Sequence, residues 1–144
     1  MESMYDDIIR FMREYFPAYS EQGQIAETQH VMDKFYAPDL AFDDGIVTKR
    51  EQWYKICLSH PKVQDKITLQ HIWVDDRQNE VGTIVKTQAI ERASGKILLE
   101  LKMNVLYILK IDKNKDIKIT NVKVFLESDP QKAAKLFQVY GMGK

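Results

Sequence analysis

Residues 39–44, DLAFDD, put an acid among apolar side chains. Alternation at a period of two sets Leu40, Phe42 and Asp44 on one face of a short strand, with Ala41 and Asp43 on the other. Burial removes hydration from the charged form of a carboxyl group. An Asp44 facing a core is therefore moved toward the pH at which it exchanges protons. The alternatives for Asp44 are a turn cap beside Gly45 or a solvated position at a rim. Asp43 and Asp44 point to opposite faces and cannot act on one substrate atom. His71, in phase with Leu69 and Trp73, either orients and protonates Asp44 or is a hydrogen-bonded interior histidine. Cys57 lies on an apolar helical face, the place of a filler rather than a nucleophile. His30 and His60 lack carboxylates at ligand spacing, so no metal site is expected.

The elements that must hold these groups follow from periodicity. Ile8, Met12, Tyr15 and Tyr19, widened by Ile9 and Phe16, form the stripe of an amphipathic helix that should kink or stop at Pro17. A second helix is predicted over 25–36, with Val31, Met32, Phe35 and Tyr36 inward and Pro38 ending it. A third is opened by a Thr48 and Glu51 capping box and turns Trp53, Ile56, Cys57 and Leu58 inward. The run ILLELKMNVLYILKI, 97–111, is the central strand. Its alternate residues from Ile97 through Leu99, Leu101, Met103, Val105, Tyr107 and Leu109 to Ile111 form one apolar face. Strands over 66–74, 81–91 and 117–126 join it across polar turns, in the rhythm of an antiparallel meander. In the first of these Ile67, Leu69, His71 and Trp73 share a face. Asp129 and Pro130 open a last helix with an apolar stripe of Ala133, Leu136, Phe137 and Tyr140, and a loose tail is expected after Gly141.

The 144 residues read as one α+β domain, 1–144, with no linker or repeat. Lys plus Arg and Asp plus Glu both number 21, so no net field attracts nucleic acid or an anionic membrane. A single cysteine forms no internal disulfide, and no apolar run reaches bilayer length. The expectation is a cytoplasmic protein, neither secreted nor inserted in a membrane.

The order of elements, with FYAPDLAFDDG after two short helices and a final KIDKNKDIKI hairpin, resembles the nuclear-transport-factor-2-like superfamily, in particular its SnoaL-like and ketosteroid-isomerase-like members. The resemblance implies a cone-shaped, curved antiparallel sheet wrapped round the N-terminal helices, a short C-terminal helix, and a pocket open at one end. It implies Asp44 as general base, with Tyr15 from the first helix as an oxyanion donor. Tyr107 stands where the isomerase branch has a protonated acid, and His71 would complete an Asp and His pairing. Phe42, Trp53, Trp73, Met103 and Tyr19 would line the pocket for a small, mostly apolar molecule. The activity implied is a cofactor-independent isomerase, cyclase or dehydratase. The alternative is a non-catalytic ligand-binding or dimerisation module, in which Leu106, Ile108, Val122 and Val124 pair two copies through the outer sheet face.

Overall fold

The computed structural model describes residues 3–43, 45–126 and 130–141. Asp44, Asp129 and the tail after Gly141 lie outside them, as do the side chains of Ala133, Leu136 and Phe137. Helix α1 (Tyr5–Gln22) precedes a short 3-10 segment (Gln29–Lys34), strand β1 (Tyr36–Phe42) and helix α2 (Arg50–Cys57). Strands β2 (Val63–Asp75), β3 (Glu80–Glu91), β4 (Ile97–Ile111) and β5 (Ile117–Leu126) follow, then helix α3 (Pro130–Gly141). The sheet order is β1-β5-β4-β3-β2. Strands β2 to β5 are the expected antiparallel meander, and β1 joins β5 in parallel, which makes the curved sheet mixed.

Ile8, Phe11, Met12, Tyr15, Phe16 and Tyr19 recur at helical spacing and are all buried. The helix does not stop at Pro17. The ring faces solvent and costs one bond to the Arg13 carbonyl, while burial of Tyr19 and Ser20 in the next turn outweighs that loss. Gly23 ends the helix, its N–H shared between the carbonyls of Ala18 and Tyr19 at 3.1 Å each. A Cβ on Gly23 would stand 3.0 Å from the Tyr19 oxygen and 3.2 Å from Met32 Cγ. Gly23→Ala is thus expected to cost about 1–3 kcal/mol in a denaturant titration.

The expected second helix is shorter than its apolar spacing suggested. Tyr36 and Pro38 are already in β1, because β5 recruits this backbone: Ile119 N–H donates to Phe35 O at 2.7 Å. At α2 the side chain that reaches back is Gln52 rather than Glu51, accepting from Thr48 N–H at 2.7 Å. Trp53 and Cys57, one turn apart, face inward. Ile56 and Leu58 fall off that stripe and are exposed.

Strand β2 is an edge, and α1 blunts it. The Gln24 side chain donates to Asp65 O at 2.8 Å and accepts from Asp65 N–H at 2.7 Å. Ser20 Oγ accepts from Ile67 N–H at 2.9 Å and donates to Ile67 O at 3.3 Å. Side chains from the last turn of the helix and from just beyond it thereby replace a neighbouring strand.

Three register shifts decide which side chains face inward. Between Leu69 and His71 an extra residue, Gln70, reverses the alternation of β2. Ile67 and Leu69 face the core, and beyond the bulge Ile72 and Val74 do so instead. His71 and Trp73 are consequently outside, stacked on each other at 6.0 Å, with Trp73 58% exposed. The expected inner placement of His71 and Trp73 is corrected by that single residue. Between Ile108 and Leu109 of β4 the partner jumps from Asn121 to Ile119, and Thr120 is passed over. Val122 and Val124 then stand opposite Tyr107 and Val105, on the inner side rather than in the outer patch expected for them; Val122 is buried, while Val124, nearer the strand end, stays 42% exposed. In β4 the spacing of Leu99 to Ile111 holds, while Leu98 is passed over opposite β3 and Ile97 is exposed at the end of the strand.

The core has two parts on one sheet face. Val105, Tyr107 and Leu109 pack with α1 and Val122, and Leu99, Leu101, Val63 and Ala89 pack with Val139 of α3. No helix among the described residues is long and apolar enough to cross a membrane.

Candidate functional site

Helical spacing brings Tyr15 and Tyr19 to the inner side of α1, and β4 alternation brings Tyr107 to meet them. The Tyr15 and Tyr107 rings pack edge-on at 5.7 Å. Tyr36, at the start of β1, places its hydroxyl 2.6 Å from that of Tyr15 and accepts from Trp53 Nε1 at 3.2 Å. Trp53 in turn lies parallel to Tyr19 at 6.1 Å and against Phe42 at 4.6 Å. Met103 is half-buried beside both parts of the core. Burial pushes the hydroxyls of Tyr15, Tyr19, Tyr36 and Tyr107 well above the ordinary phenol range, so all four stay protonated and able to donate.

The acid among these groups is Asp65, at the start of β2. Tyr19 Oη donates to its Oδ2 at 2.6 Å. Part of the residue reaches the surface, but Oδ1 has essentially no accessible area and no hydrogen-bond partner. Burial raises the proton affinity of this carboxyl. The phenols of Tyr19 and Tyr140 and the nearby His60 pull the other way without cancelling the effect. Tyr140 Oη, from α3, is close enough to favour the ionised form yet is itself left without a hydrogen bond. Its ring leans on His60 at 4.8 Å, and His60 Nδ1 is 2.8 Å from Val63 O. Cys57 is buried beside this cluster, and burial pushes its thiol up, the opposite of an activated nucleophile.

The structure therefore assembles Tyr15, Tyr19, Tyr107, Trp53, Phe42 and Met103 in the interior, and carries His71 and Trp73 to the convex face. Asp65 and Tyr36 complete the cluster. The strand expected over 66–74 starts just past Asp65, whereas β2 begins at Val63. Carrying the period of two back from Leu69 and Ile67 reaches Asp65 directly. The five principal cavities among the described residues hold about 260–420 Å³, and Tyr15, Tyr36, Tyr107 and Asp65 line none of them. Val139 and Tyr140 of α3 pack over the end of the interior that holds the acid. Among the described residues no three His, Cys, Asp or Glu side chains converge as metal ligands would.

The chain matches no protein-family model and no curated protein by sequence. Solved structures do match. A SnoaL-like polyketide cyclase from Agrobacterium tumefaciens strain C58 superposes with TM-score 0.62 at 10% identity, over 95% of this chain and 99% of the other. ActVI-ORFA from Streptomyces coelicolor gives 0.65 at 10% identity, over 87% and 95%. Nuclear transport factor 2 from Cryptosporidium parvum gives 0.59 at 15% identity, over 86% and 95%. The fold is that of the nuclear-transport-factor-2-like superfamily, whose members of this shape include a polyketide cyclase and a transport factor.

Proposed function

We propose that the domain binds a small, mostly apolar molecule at the Asp65 end of its interior and moves a proton on it without a cofactor, as an isomerase, cyclase or dehydratase does. The observation that carries this reading is the enclosed Asp65 carboxyl, with Oδ2 held by Tyr19, Oδ1 buried without a hydrogen bond, and the Tyr140 hydroxyl close by. A buried acceptor without a partner costs about 1–3 kcal/mol, a cost that a core serving only stability would avoid by placing an apolar residue there. Asp65 Oδ1 takes a proton from the carbon next to a substrate carbonyl, and the electron pair moves onto the carbonyl oxygen. A tyrosine O–H stabilises that oxygen, and Asp65 returns the proton at a second position. A ligand that reaches Asp65 displaces the Val139 and Tyr140 side chains of α3 that cover it. The lone, buried Cys57 suits work in a reducing cytoplasm.

The experiment is proton exchange of small cyclic enones and β-diketones in deuterium oxide, followed by NMR. The protein accelerates exchange at the carbon beside the carbonyl, and Asp65→Asn lowers that rate about 100-fold or more. Equal rates with and without the carboxylate would remove Asp65 from the chemistry.

A second reading, compatible with the first, rests on the convex face. Trp73 and Phe125, 58% and 49% exposed, border a cavity of about 360 Å³ that also touches Gly82, Ile84 and Leu106. Exposed aromatics so close together fit a contact between two copies. Sedimentation at micromolar concentration is expected to show a dimer that Trp73→Lys with Phe125→Lys converts to a monomer. A wild-type chain that sediments as a monomer would refute the pairing.

A further inference from the structure

The contacts between α1 and β2 form a ladder with an open rung. Steps of four along the helix and two along the strand are nearly equal in length, about 6 Å and about 7 Å. Ser20 thus serves the backbone of Ile67, and Gln24, just past the helix end, that of Asp65. The next rung sets Phe16 beside Leu69, and Phe16 has no polar atom to offer. Asp65, Ile67 and Leu69 stand opposite Ala89, Thr87 and Val85 in one unbroken register. The N–H and C=O of Leu69 therefore point away from β3, as those of Ile67 and Asp65 do. Among the described residues no side chain is hydrogen-bonded to them.

At this rung a cavity of about 420 Å³ opens between helix and strand, lined by Phe16, Pro17, Ile67 and Leu69 with Arg13 and Lys66. Pro17 also withholds the amide proton that the Arg13 carbonyl would accept. Arg13 and Lys66 have no ion-pair partner among the described residues. Glu21 lines the cavity too, which leaves one net positive charge there. The opening is a single residue long, since Ser20 fills the rung before it and the bulge at Gln70 disturbs the edge after it. A partner strand does not fit so short an edge.

We propose that this rung is a binding slot for an N-acylated apolar amino acid, which carries an amide N–H and a carboxylate on the same carbon. The ligand N–H donates to Leu69 C=O and its carboxylate accepts from Leu69 N–H, the pair of bonds that two facing residues exchange in an antiparallel ladder. The carboxylate lies within the field of Arg13 and Lys66, and the apolar side chain covers Phe16 and Leu69. The same chemistry occurs at the C-terminal residue of a peptide.

N-acetyl-L-leucine titrated into the 15N-labelled protein is expected to shift the Leu69 amide resonance saturably, with millimolar affinity. Arg13→Glu with Lys66→Glu weakens binding tenfold or more and leaves the melting temperature unchanged. Both 4-methylpentanoate, which lacks the amide, and N-acetyl-leucine methyl ester, which lacks the charge, bind at least tenfold more weakly. An acetylated dipeptide ending in leucine separates the two sources: tighter binding than N-acetyl-leucine assigns the slot to peptide ends, weaker binding to the free acylated amino acid. Absence of a saturable shift at Leu69, or equal binding of 4-methylpentanoate, overturns the proposal.

Discussion

Asp65→Asn is expected to stabilise the protein at neutral pH, by about 1–2 kcal/mol or about 3–6 °C in Tm, while slowing proton exchange about 100-fold or more. Asp65 Oδ1 and Tyr140 Oη are both buried without a hydrogen bond, and the two residues are close enough for the phenol to favour the ionised carboxyl. An amide in its place keeps an oxygen for Tyr19 and offers Tyr140 an N–H. The pH dependence has a definite sign. Burial raises the Asp65 pKa above its unfolded value, so the folded state holds a proton that the unfolded state releases. Below the ordinary Asp range this residue costs nothing. As pH rises from that range to the raised value, stability falls, and the full cost persists above it. The variant lacks that slope, so the gap between the two proteins opens across this window and then stays constant. Urea titrations at several pH values measure it. A variant less stable than wild type at every pH would mean that the carboxylate serves the fold and is not held at its expense.

Gln24→Ala should be the more damaging substitution, by about 2–4 kcal/mol. Its carboxamide makes bonds to Asp65 N–H, to Asp65 O and to Tyr19 O, at 2.7, 2.8 and 3.2 Å. Gln24 is 4% exposed, so water does not readily replace them. The loss opens the backbone at the very residue whose acid matters, and leaves part of an edge strand free to pair with another chain. Gln24→Glu keeps an acceptor for Asp65 N–H but no donor, and should fall between the two. A loss below about 0.5 kcal/mol for Gln24→Ala in equilibrium unfolding would show that α1 does not protect this edge.

What the sequence made legible follows from where its alternation is unbroken. The inner face of β4 from Leu99 to Ile111 keeps one phase, and Tyr15, Tyr19 and Tyr107 were found because helix and strand periods point them the same way. Single passed-over residues, Gln70 and Thr120, were invisible because they leave no trace in residue type. Each one turned the side chains beyond it to the opposite face. His71 and Trp73 left the interior in this way, and Val122 entered it. Asp65 escapes for a different reason: the strand expected over 66–74 in fact begins at Val63, so its first three residues lie outside the expected span. The apolar spacing over 25–36 suggested a helix because it could not register the pull of β5 on Phe35 and Tyr36.

The enclosed carboxyl of Asp65 holds its proton more tightly than a free side chain does. A carbon-detected NMR titration of that carboxyl group tests it most directly. The expected midpoint lies clearly above the value of about 3.9 typical of an unperturbed Asp, and moves upward again in Tyr19→Phe, which removes the phenol that favours the ionised form. A midpoint at or below the ordinary value would contradict the account.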